Sequence, residues 1–269
     1  MAGAAAGGMQ GVPGWMMELL LVGIASARFG FAFAIIPLFA QNTIPATVRN
    51  AIILTFGGVA FALQPNFMVQ DIGTFGWAIM LVREAGIGIA IGFFFATILW
   101  AMEAAGEIID AKVGATIGQI LEPNGGTMTS LTGSLLQRLA HVLFAAWGGL
   151  LLLVGTIMES FVIWPIAKSW PVLDPQSLIL FEGEFGRLMT LALVFAAPIL
   201  VMLYVVDAAL GLLNRFAQQL NVFSLSLSIK SWAATALLLI LVPLLAQAVL
   251  MDLSTRSDVV RAVARTLAR

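Results

Sequence analysis

Residues 214–231 read NRFAQQLNVFSLSLSIKS and lie between two of the most apolar stretches of the chain. The segment mixes polar side chains, such as Arg215 and Lys230, with large apolar ones, such as Phe216 and Phe223. A solvated loop would not need the apolar residues, and a plain membrane span would not carry so many polar ones. We therefore expect a segment that is buried between protein surfaces, with a hydrated side that accommodates its amides and hydroxyls.

The conformation of this segment is left open by its pattern. From Phe223 onwards apolar residues alternate with serines, a period of two that suits a strand. Phe216, Leu220, Phe223 and Leu227 also fit the apolar stripe of a helix. Either conformation places apolar residues on one face and polar residues on the other.

The composition of the whole chain indicates a membrane environment. Of its 269 residues, 61% are hydrophobic and 10% are charged, and the mean hydropathy is +1.02. A soluble protein has roughly 25% charged residues, and one core of this size could not bury so much apolar surface. A net charge of −1 argues against nucleic-acid binding, and the lack of cysteine excludes disulfides and thiolate metal sites.

Six uncharged runs are each close to the roughly 20 residues that cross a bilayer as a helix. They cover residues 29–48, 50–70, 85–102, 139–158, 188–206 and 231–251. We predict an all-α integral membrane protein with about six hydrophobic segments. We expect a flexible N-terminus over 1–14 without a cleaved leader, a helical membrane domain over 15–251, and a basic amphipathic tail over 252–269.

The distribution of basic residues conflicts with six simple spans. An even number of spans places both ends on one side, yet no Lys or Arg precedes Arg28, whereas the tail carries Arg256, Arg261, Arg265 and Arg269. The positive-inside rule therefore supports a cytoplasmic position only for the tail. Either the number of spans is odd or some segments do not cross lipid. The tail is predicted to form a short helix that begins at a capping box over 255–258.

The candidates for catalysis or metal binding are weak. The only histidine is His141, and the best carboxylate group is Glu103, Glu107 and Asp110 on one predicted helix face. A polar pore lining or a solvated helix face explains those carboxylates better than a metal. Ser134 and His141 are separated by ~10 Å along a helix, whereas a nucleophile and its base must lie ~3 Å apart. We predict no enzyme activity, no cofactor and no metal.

Small residues and embedded charges point to tight packing against protein. Gly88 and Gly92 are four residues apart, a spacing that allows close helix approach. Charges in or beside the spans cost roughly 2.5–3.5 kcal/mol each in hydrocarbon, so each needs a partner, a cavity or the interface. These charges are Arg28, Arg83, Glu84, Asp207, Arg215 and Lys230.

Residues 104–133 read AAGEIIDAKVGATIGQILEPNGGTMTSLTG and include the turn-forming run that starts at Glu122-Pro123. Irregular backbone at membrane depth is tolerated only where it is buried in protein or lines a water-filled cavity. An ordinary surface loop and a gate or plug are both open interpretations of this segment.

The stretch 214–231 resembles the signature of the FliR/SctT family, the export-gate proteins of flagella and of type III secretion injectisomes. Its most specific element is Gln219-Leu220-Asn221-Val222-Phe223. The resemblance extends through nearly the whole chain. It includes Arg28 with Pro37, Ile44-Pro45, Val48-Arg49, Glu84 with Gly86, Gly88 and Gly92, residues 105–110 with Gly114, Pro198, and Asp207 with Gly211.

The resemblance implies one subunit of a closed, helical export gate, built from helical hairpins and assembled with P/R-type and Q/S-type subunits. A switch protein would surround its base, and unfolded secreted substrates would pass through it. The gate would lie in the bacterial inner membrane as a multi-pass assembly, with parts raised toward the periplasm.

By resemblance, a plug-like loop at about 106–130 would close the channel. Its plug or pore residues would be Gly106, Glu107, Asp110, Gly114, Glu122 and Pro123. The residues expected at assembly interfaces are Arg28, Pro45, Arg49, Glu84, Gly88, Gly92, Asp207, Asn214, Arg215, Gln219, Asn221, Phe223 and Lys230.

Two departures from many flagellar relatives favour the injectisome branch. Gln218 and Ser228 stand where those relatives often have proline. The alternative from another class is a polytopic secondary transporter of a small solute, which would also use glycine-interrupted helices and embedded charges. The sequence shows no internal repeat of the kind that most such transporters carry.

Overall fold

The computed structural model describes residues 14–40, 44–63, 74–114, 130–166, 175–216 and 222–267, and the secondary structure there is helical, without strands. The helices are α1 (Gly14–Ile35), a short 3-10 helix (Pro37–Phe39), α2 (Ala46–Ala62), α3 (Thr74–Val113), α4 (Leu131–Ala146), α5 (Gly149–Ile163), α6 (Pro175–Phe216) and α7 (Val222–Leu267). This confirms the predicted all-α membrane fold.

Four helices are long and apolar enough to cross a membrane. They cover Trp15–Ile35, Phe75–Val113, Ile179–Phe216 and Leu225–Ser254. A fifth span is obtained if α4 and α5, which are separated by a break at Trp147 and Gly148, are taken as one broken crossing. Together with the shorter apolar helix α2, these elements account for the six hydrophobic segments, although not every segment is long enough to be a span.

The first predicted segment, 29–48, has different bounds in the structure. α1 begins at Gly14, includes Arg28 and ends at Ile35. Ile36 is extended, with φ −82° and ψ 120°, because a residue before proline is disfavoured in the helical region. Pro37 then starts the 3-10 helix. The charged Arg28 does not limit the span because the protein neutralises it internally, as described below.

The ambiguous stretch 222–231 is helical. α7 begins at Val222, so the alternation of serine and apolar residues lies on a helix and not on a strand. α6 ends at Phe216, and residues 217–221 lie outside the described residues. α7 also continues through 255–258 to Leu267. The prediction that a separate tail helix begins at a capping box is therefore wrong, because the last turns of α7 already supply the intrahelical hydrogen bonds there.

The chain divides into two compact units, and each is described by itself. The first contains residues 1–96, 150–181 and 255–269, and the second contains residues 97–149 and 182–254. In the first unit Phe29 stacks on Phe56 of α2 and Phe161 of α5, with ring centroids 5.7 Å and 6.2 Å apart. Phe29 is fully buried, so these rings form a core that joins α1, α2 and α5.

In the second unit α3 and α4 approach closely through glycine. A Cβ atom built on Gly106 would lie 2.4 Å from the backbone nitrogen of Gly133. Backbone therefore packs against backbone, a contact that a side chain at position 106 would not allow. α6 and α7 belong to the same unit and are linked near both ends by ion pairs between their side chains.

Candidate functional site

A fully buried ion pair joins α1 and α3 in the first unit. The Nε of Arg28 donates to Oε2 of Glu84 over 2.7 Å, and neither side chain is exposed to solvent. The two residues are 56 positions apart in the sequence. An unpaired charge at such a position would be strongly destabilising, so each side chain requires the other.

Arg28 also fixes the end of α5. Its Nη1 donates to Oγ of Ser160 over 2.8 Å, and its Nη2 donates to the carbonyl oxygen of Trp164 over 3.0 Å. The guanidinium carbon lies 3.8 Å from the ring centroid of Phe161, within the range of a cation–π interaction. One arginine therefore binds a carboxylate, a hydroxyl, a carbonyl and an aromatic face at once.

Arg83 completes this buried charge network. Its Nη2 donates to Oε1 of Glu84 over 2.8 Å and to the carbonyl oxygen of Ile166. Glu84 thus accepts from two arginines, one on each carboxylate oxygen. The sequence predicted that these charges need partners but gave no sign that Ser160 and two backbone carbonyls take part.

Gly88 and Gly92 lie next to this network and bring α3 against the backbone of α1. A Cβ atom on Gly88 would lie 2.3 Å from the carbonyl oxygen of Arg28, and one on Gly92 would lie 2.6 Å from that of Ala32. Within this chain the two glycines therefore serve contact between α1 and α3. A role for them at an interface between subunits stays a prediction.

A second polar cluster links the end of α3 to the start of α4 in the second unit. Asp110 is buried and accepts hydrogen bonds from Ser130 Oγ over 2.6 Å, from Thr132 N over 2.9 Å, and from Thr132 Oγ1. Ser130 is also the N-cap of α4, since its Oγ accepts from Gly133 N over 2.8 Å. Asp110 therefore fixes the residues on which α4 begins.

The predicted plug segment, about 106–130, starts inside α3. The helix continues to Val113, and Gly114 follows with φ +92°, a conformation that L residues rarely adopt. Glu107 is exposed, and Glu103 accepts from Gln137 Nε2 over 2.5 Å. Residues 115–129, with Glu122 and Pro123, lie outside the described residues.

Asp207 is the centre of a third cluster, which links α3, α6 and α7. Its Oδ2 lies 2.7 Å from Nζ of Lys112 and its Oδ1 lies 3.2 Å from Nζ of Lys230. Lys112 Nζ also lies 3.9 Å from the ring centroid of Tyr204. Sequence reasoning identified Asp207 and Lys230 but assigned Lys112 to the neighbouring carboxylates.

A fourth cluster was not predicted from the sequence. Arg187 of α6 pairs with Glu184 on the same helix, at 3.6 Å, and with Asp252 of α7. Glu184 and Asp252 are buried. The only signals available were the three-residue spacing of Glu184 and Arg187 and the position of Asp252 directly after an uncharged run.

The remaining predicted interface residues are not brought together. Pro45 is the N-cap residue of α2, and Arg49 donates to the carbonyl oxygen of Phe39 over 3.0 Å. Asn214 and Arg215 are exposed at the end of α6. Gln219 and Asn221 lie outside the described residues, and Phe223 is placed only as part of the first turn of α7.

The described residues contain no group of three or more His, Cys, Asp or Glu that could hold a metal ion. His141 is buried on α4, and its Nε2 has no hydrogen-bond partner in the parts of the chain that the structure describes. This differs from the expectation of a hydrogen-bonded histidine at the edge of a span. The chemistry of the four clusters is mutual neutralisation of charge and attachment of helices to one another.

Comparison with known proteins gives a consistent result over most of the chain. Residues 19–255 match the family described as bacterial export proteins, family 1. The chain is 31% identical over 223 residues to "Yop proteins translocation protein T" of Yersinia pestis, with 82% of this chain and 85% of that protein covered. It is 32% identical over 237 residues to "Secretion system apparatus protein SsaT" of Salmonella typhimurium, with 87% and 90% covered.

A flagellar relative is somewhat more distant. "Flagellar biosynthetic protein FliR" of Escherichia coli is 29% identical over 213 residues, which cover 78% of this chain and 79% of that protein. The names of these relatives designate translocation, secretion-apparatus and flagellar proteins, which agrees with the expectation that the chain is not an enzyme. The order of similarity favours the injectisome branch over the flagellar one. On this evidence the chain belongs to family 1 of the bacterial export proteins, the FliR/SctT family.

Proposed function

We propose that this protein is a structural subunit of a type III secretion export gate, which forms the closed entry channel for unfolded substrates in the bacterial inner membrane. The observation that carries the proposal is the similarity to secretion-apparatus proteins over more than four fifths of the chain. Such coverage includes the spans and all four charge clusters. A shared function therefore concerns the whole fold and not one module.

The charge clusters support a structural role. In a transporter, embedded charges are expected to face the solute or coupling ion near the membrane midplane. Here Arg28 and Glu84 have no solvent exposure and are bonded to one another. Their contacts bind α1, α3 and the end of α5 together, so the network acts as a scaffold.

The uneven burial of the spans supports assembly with further subunits or lipid. The apolar window of α3 is 72% buried within the chain, whereas those of α6 and α7 are 28% and 22% buried. So much exposed apolar surface must be covered by something other than water. We propose P/R-type and Q/S-type gate subunits as protein partners, with a switch protein at the base and unfolded substrates in the channel.

The end of α3 and the segment after it are proposed to close the channel. Gly106 is held against α4 and Asp110 is bonded to its first residues, so the segment leaves and re-enters the fold at fixed points. Gly114, Glu122 and Pro123 would belong to the closing segment, with Glu107 at its exposed edge.

Co-expression tests the proposal. We expect the chain to give low yields alone and to purify as a stable complex when its P/R-type and Q/S-type partners are produced with it. A chain that purifies alone as a monodisperse protein and binds a small solute would instead identify a transporter and contradict the proposal.

Permeability tests the closing segment. In membranes that contain the co-expressed complex, Gly114→Leu should let ions leak at rest, because the left-handed backbone at Gly114 does not accommodate a side chain without strain. The control is Gly86→Leu, at an exposed glycine where an added Cβ meets open space. Equal permeability of the two variants would remove Gly114 from the closing segment.

A further inference from the structure

α6 and α7 form a pair of helices that is limited at both ends by charge. At one end lies the Asp207 cluster, which consists of Asp207, Lys112 and Lys230. At the other end lies the Arg187 cluster, which consists of Arg187, Glu184 and Asp252. Since each cluster contains a residue of α6 and a residue of α7, the two helices are antiparallel neighbours.

The separation of the two clusters matches the thickness of a bilayer core. Asp207 follows Arg187 by about 20 residues and Asp252 follows Lys230 by about 22, which is ~30–33 Å at ~1.5 Å per helical residue. The hydrocarbon core of a typical bilayer is about 30 Å thick. Neither 188–206 nor 231–251 contains a charged residue.

The outward faces of the two helices are apolar over this length. Residues such as Leu193 and Val201 of α6 and Leu239 and Ile240 of α7 are each more than half exposed. Large aliphatic side chains are what lipid tails require. Tight contact between membrane helices is usually made through small residues, as it is at Gly88 and Gly92.

Aromatic residues mark one end of the apolar length. Tyr204 and Trp232 are 60% and 79% exposed and lie within one helical turn of Asp207 and Lys230. Tyrosine and tryptophan concentrate where lipid headgroups meet hydrocarbon. Lys112 sits over the Tyr204 ring and pairs with Asp207, so ring and charge meet at the same level.

From these observations we propose that the outward face of α6 and α7 lies against the acyl chains of the bilayer, with the Asp207 cluster at one headgroup boundary and the Arg187 cluster at the other. The occupant of this face is lipid and not a partner subunit. A protein surface would set no length limit, whereas hydrocarbon excludes charge over its own thickness. The proposal holds whether or not the chain closes an export channel.

The chain contains no cysteine, so single spin labels can test this directly in the full-length protein within its purified complex, reconstituted in phosphatidylcholine vesicles. Labels at Ala197→Cys and Ile240→Cys would lie near the middle of the apolar length, and labels at Ser228→Cys and Ser254→Cys would lie just outside it. All four positions are exposed. Collision rates with molecular oxygen, which concentrates in lipid, and with a water-soluble nickel chelate report the surroundings of each label.

We expect the ratio of oxygen to nickel collisions to be several-fold higher at positions 197 and 240 than at 228 and 254. Ala101→Cys, at a fully buried position of α3, shows what a protein-covered label gives, with few collisions of either kind. Low collision rates at both 197 and 240 would identify a partner subunit as the occupant, and high nickel rates would identify water. Either result would overturn the proposal, and retention of the complex by each variant verifies its fold.

Discussion

Arg28 and Glu84 lie at positions without solvent exposure, where each charge depends on the other. Removing one partner of a buried pair leaves an uncompensated charge in a poorly polarisable environment, at a cost of about 3–5 kcal/mol. Replacing both partners by apolar groups can be nearly neutral elsewhere. That route is less favourable here, because Ser160 and Trp164 would lose their hydrogen-bond donor.

The loss of this carboxylate should therefore lower stability. We expect Glu84→Ala to destabilise the protein by about 3–5 kcal/mol, measured as a large fall in the melting temperature of the detergent-purified complex by circular dichroism. Glu182→Ala is the control, since it makes the same change at an exposed position on α6. Equal melting temperatures for the two variants would show that the buried pair does not hold α1 and α3 together.

The glycines of α3 offer a test of close helix packing with a matched control two residues away. A Cβ on Gly88 would lie 2.3 Å from the carbonyl oxygen of Arg28, whereas one on Gly86 would meet nothing within 4 Å. Gly88→Ala should cost about 1–3 kcal/mol through overpacking. Gly86→Ala should be neutral or stabilising by up to about 1 kcal/mol, because alanine favours helix.

Thermal unfolding of the two alanine variants side by side is the measurement. A destabilised Gly86→Ala together with an unchanged Gly88→Ala would contradict the close approach of α1 and α3 at that point.

At the scale of elements, α4 depends on side chains that lie before and outside it. Its N-cap is Ser130, and Asp110 at the end of α3 accepts from both Ser130 and the backbone of Thr132. The free N–H groups of a first turn carry partial positive charge, so a carboxylate placed there also interacts favourably with the helix dipole. The start of α4 is thus specified by α3.

Removal of the N-cap hydroxyl should loosen the first turn of α4. We expect Ser130→Ala to cost about 0.5–2 kcal/mol and to speed amide hydrogen exchange locally over 131–134, measured by mass spectrometry on the complex. Ser134→Ala removes a hydroxyl that bonds only to the carbonyl oxygen of Leu131 among the described contacts. Exchange that rises equally in both variants would show that Ser130 has no special capping role.

At the scale of the whole molecule, the described part of the chain is incomplete as an isolated protein. The exposed apolar faces of α6 and α7 require lipid or partners, and Asn214 with Arg215 presents polar groups at the end of α6 beside the family signature. A charge that becomes buried and hydrogen-bonded at an interface contributes strongly, since its truncation typically costs about 2–5 kcal/mol. Assembly is therefore expected to be sensitive at this position.

We expect Arg215→Ala to reduce recovery of the co-expressed partners in a pull-down by about tenfold or more, which corresponds to a loss of at least ~1.4 kcal/mol in binding. Arg138→Ala, at an exposed arginine of α4, should leave recovery unchanged. Normal recovery with the Arg215 variant would remove this residue from the proposed interface, as the same result would for Asn221.

The sequence by itself determined the solvent, the class of fold and the family. Runs of about 20 apolar residues, the position of Pro37 and the spacing of Gly88 and Gly92 act through local geometry and through the length needed to cross a bilayer, so they can be recognised along the chain. The stretch 214–231 carried the family resemblance for the same reason. Its residue types are specific even though its conformation was ambiguous.

Only the tertiary structure decided which charges pair. Arg28 meets Glu84 across 56 residues, Asp207 meets Lys112 of a different helix, and Arg187 meets Asp252 although no local pattern predicted it. The tertiary structure also made 222–231 a helix and continued it into the tail. Pairing between distant positions depends on how whole helices pack, and burial then makes each pairing obligatory, because an isolated charge in a core is too costly to keep.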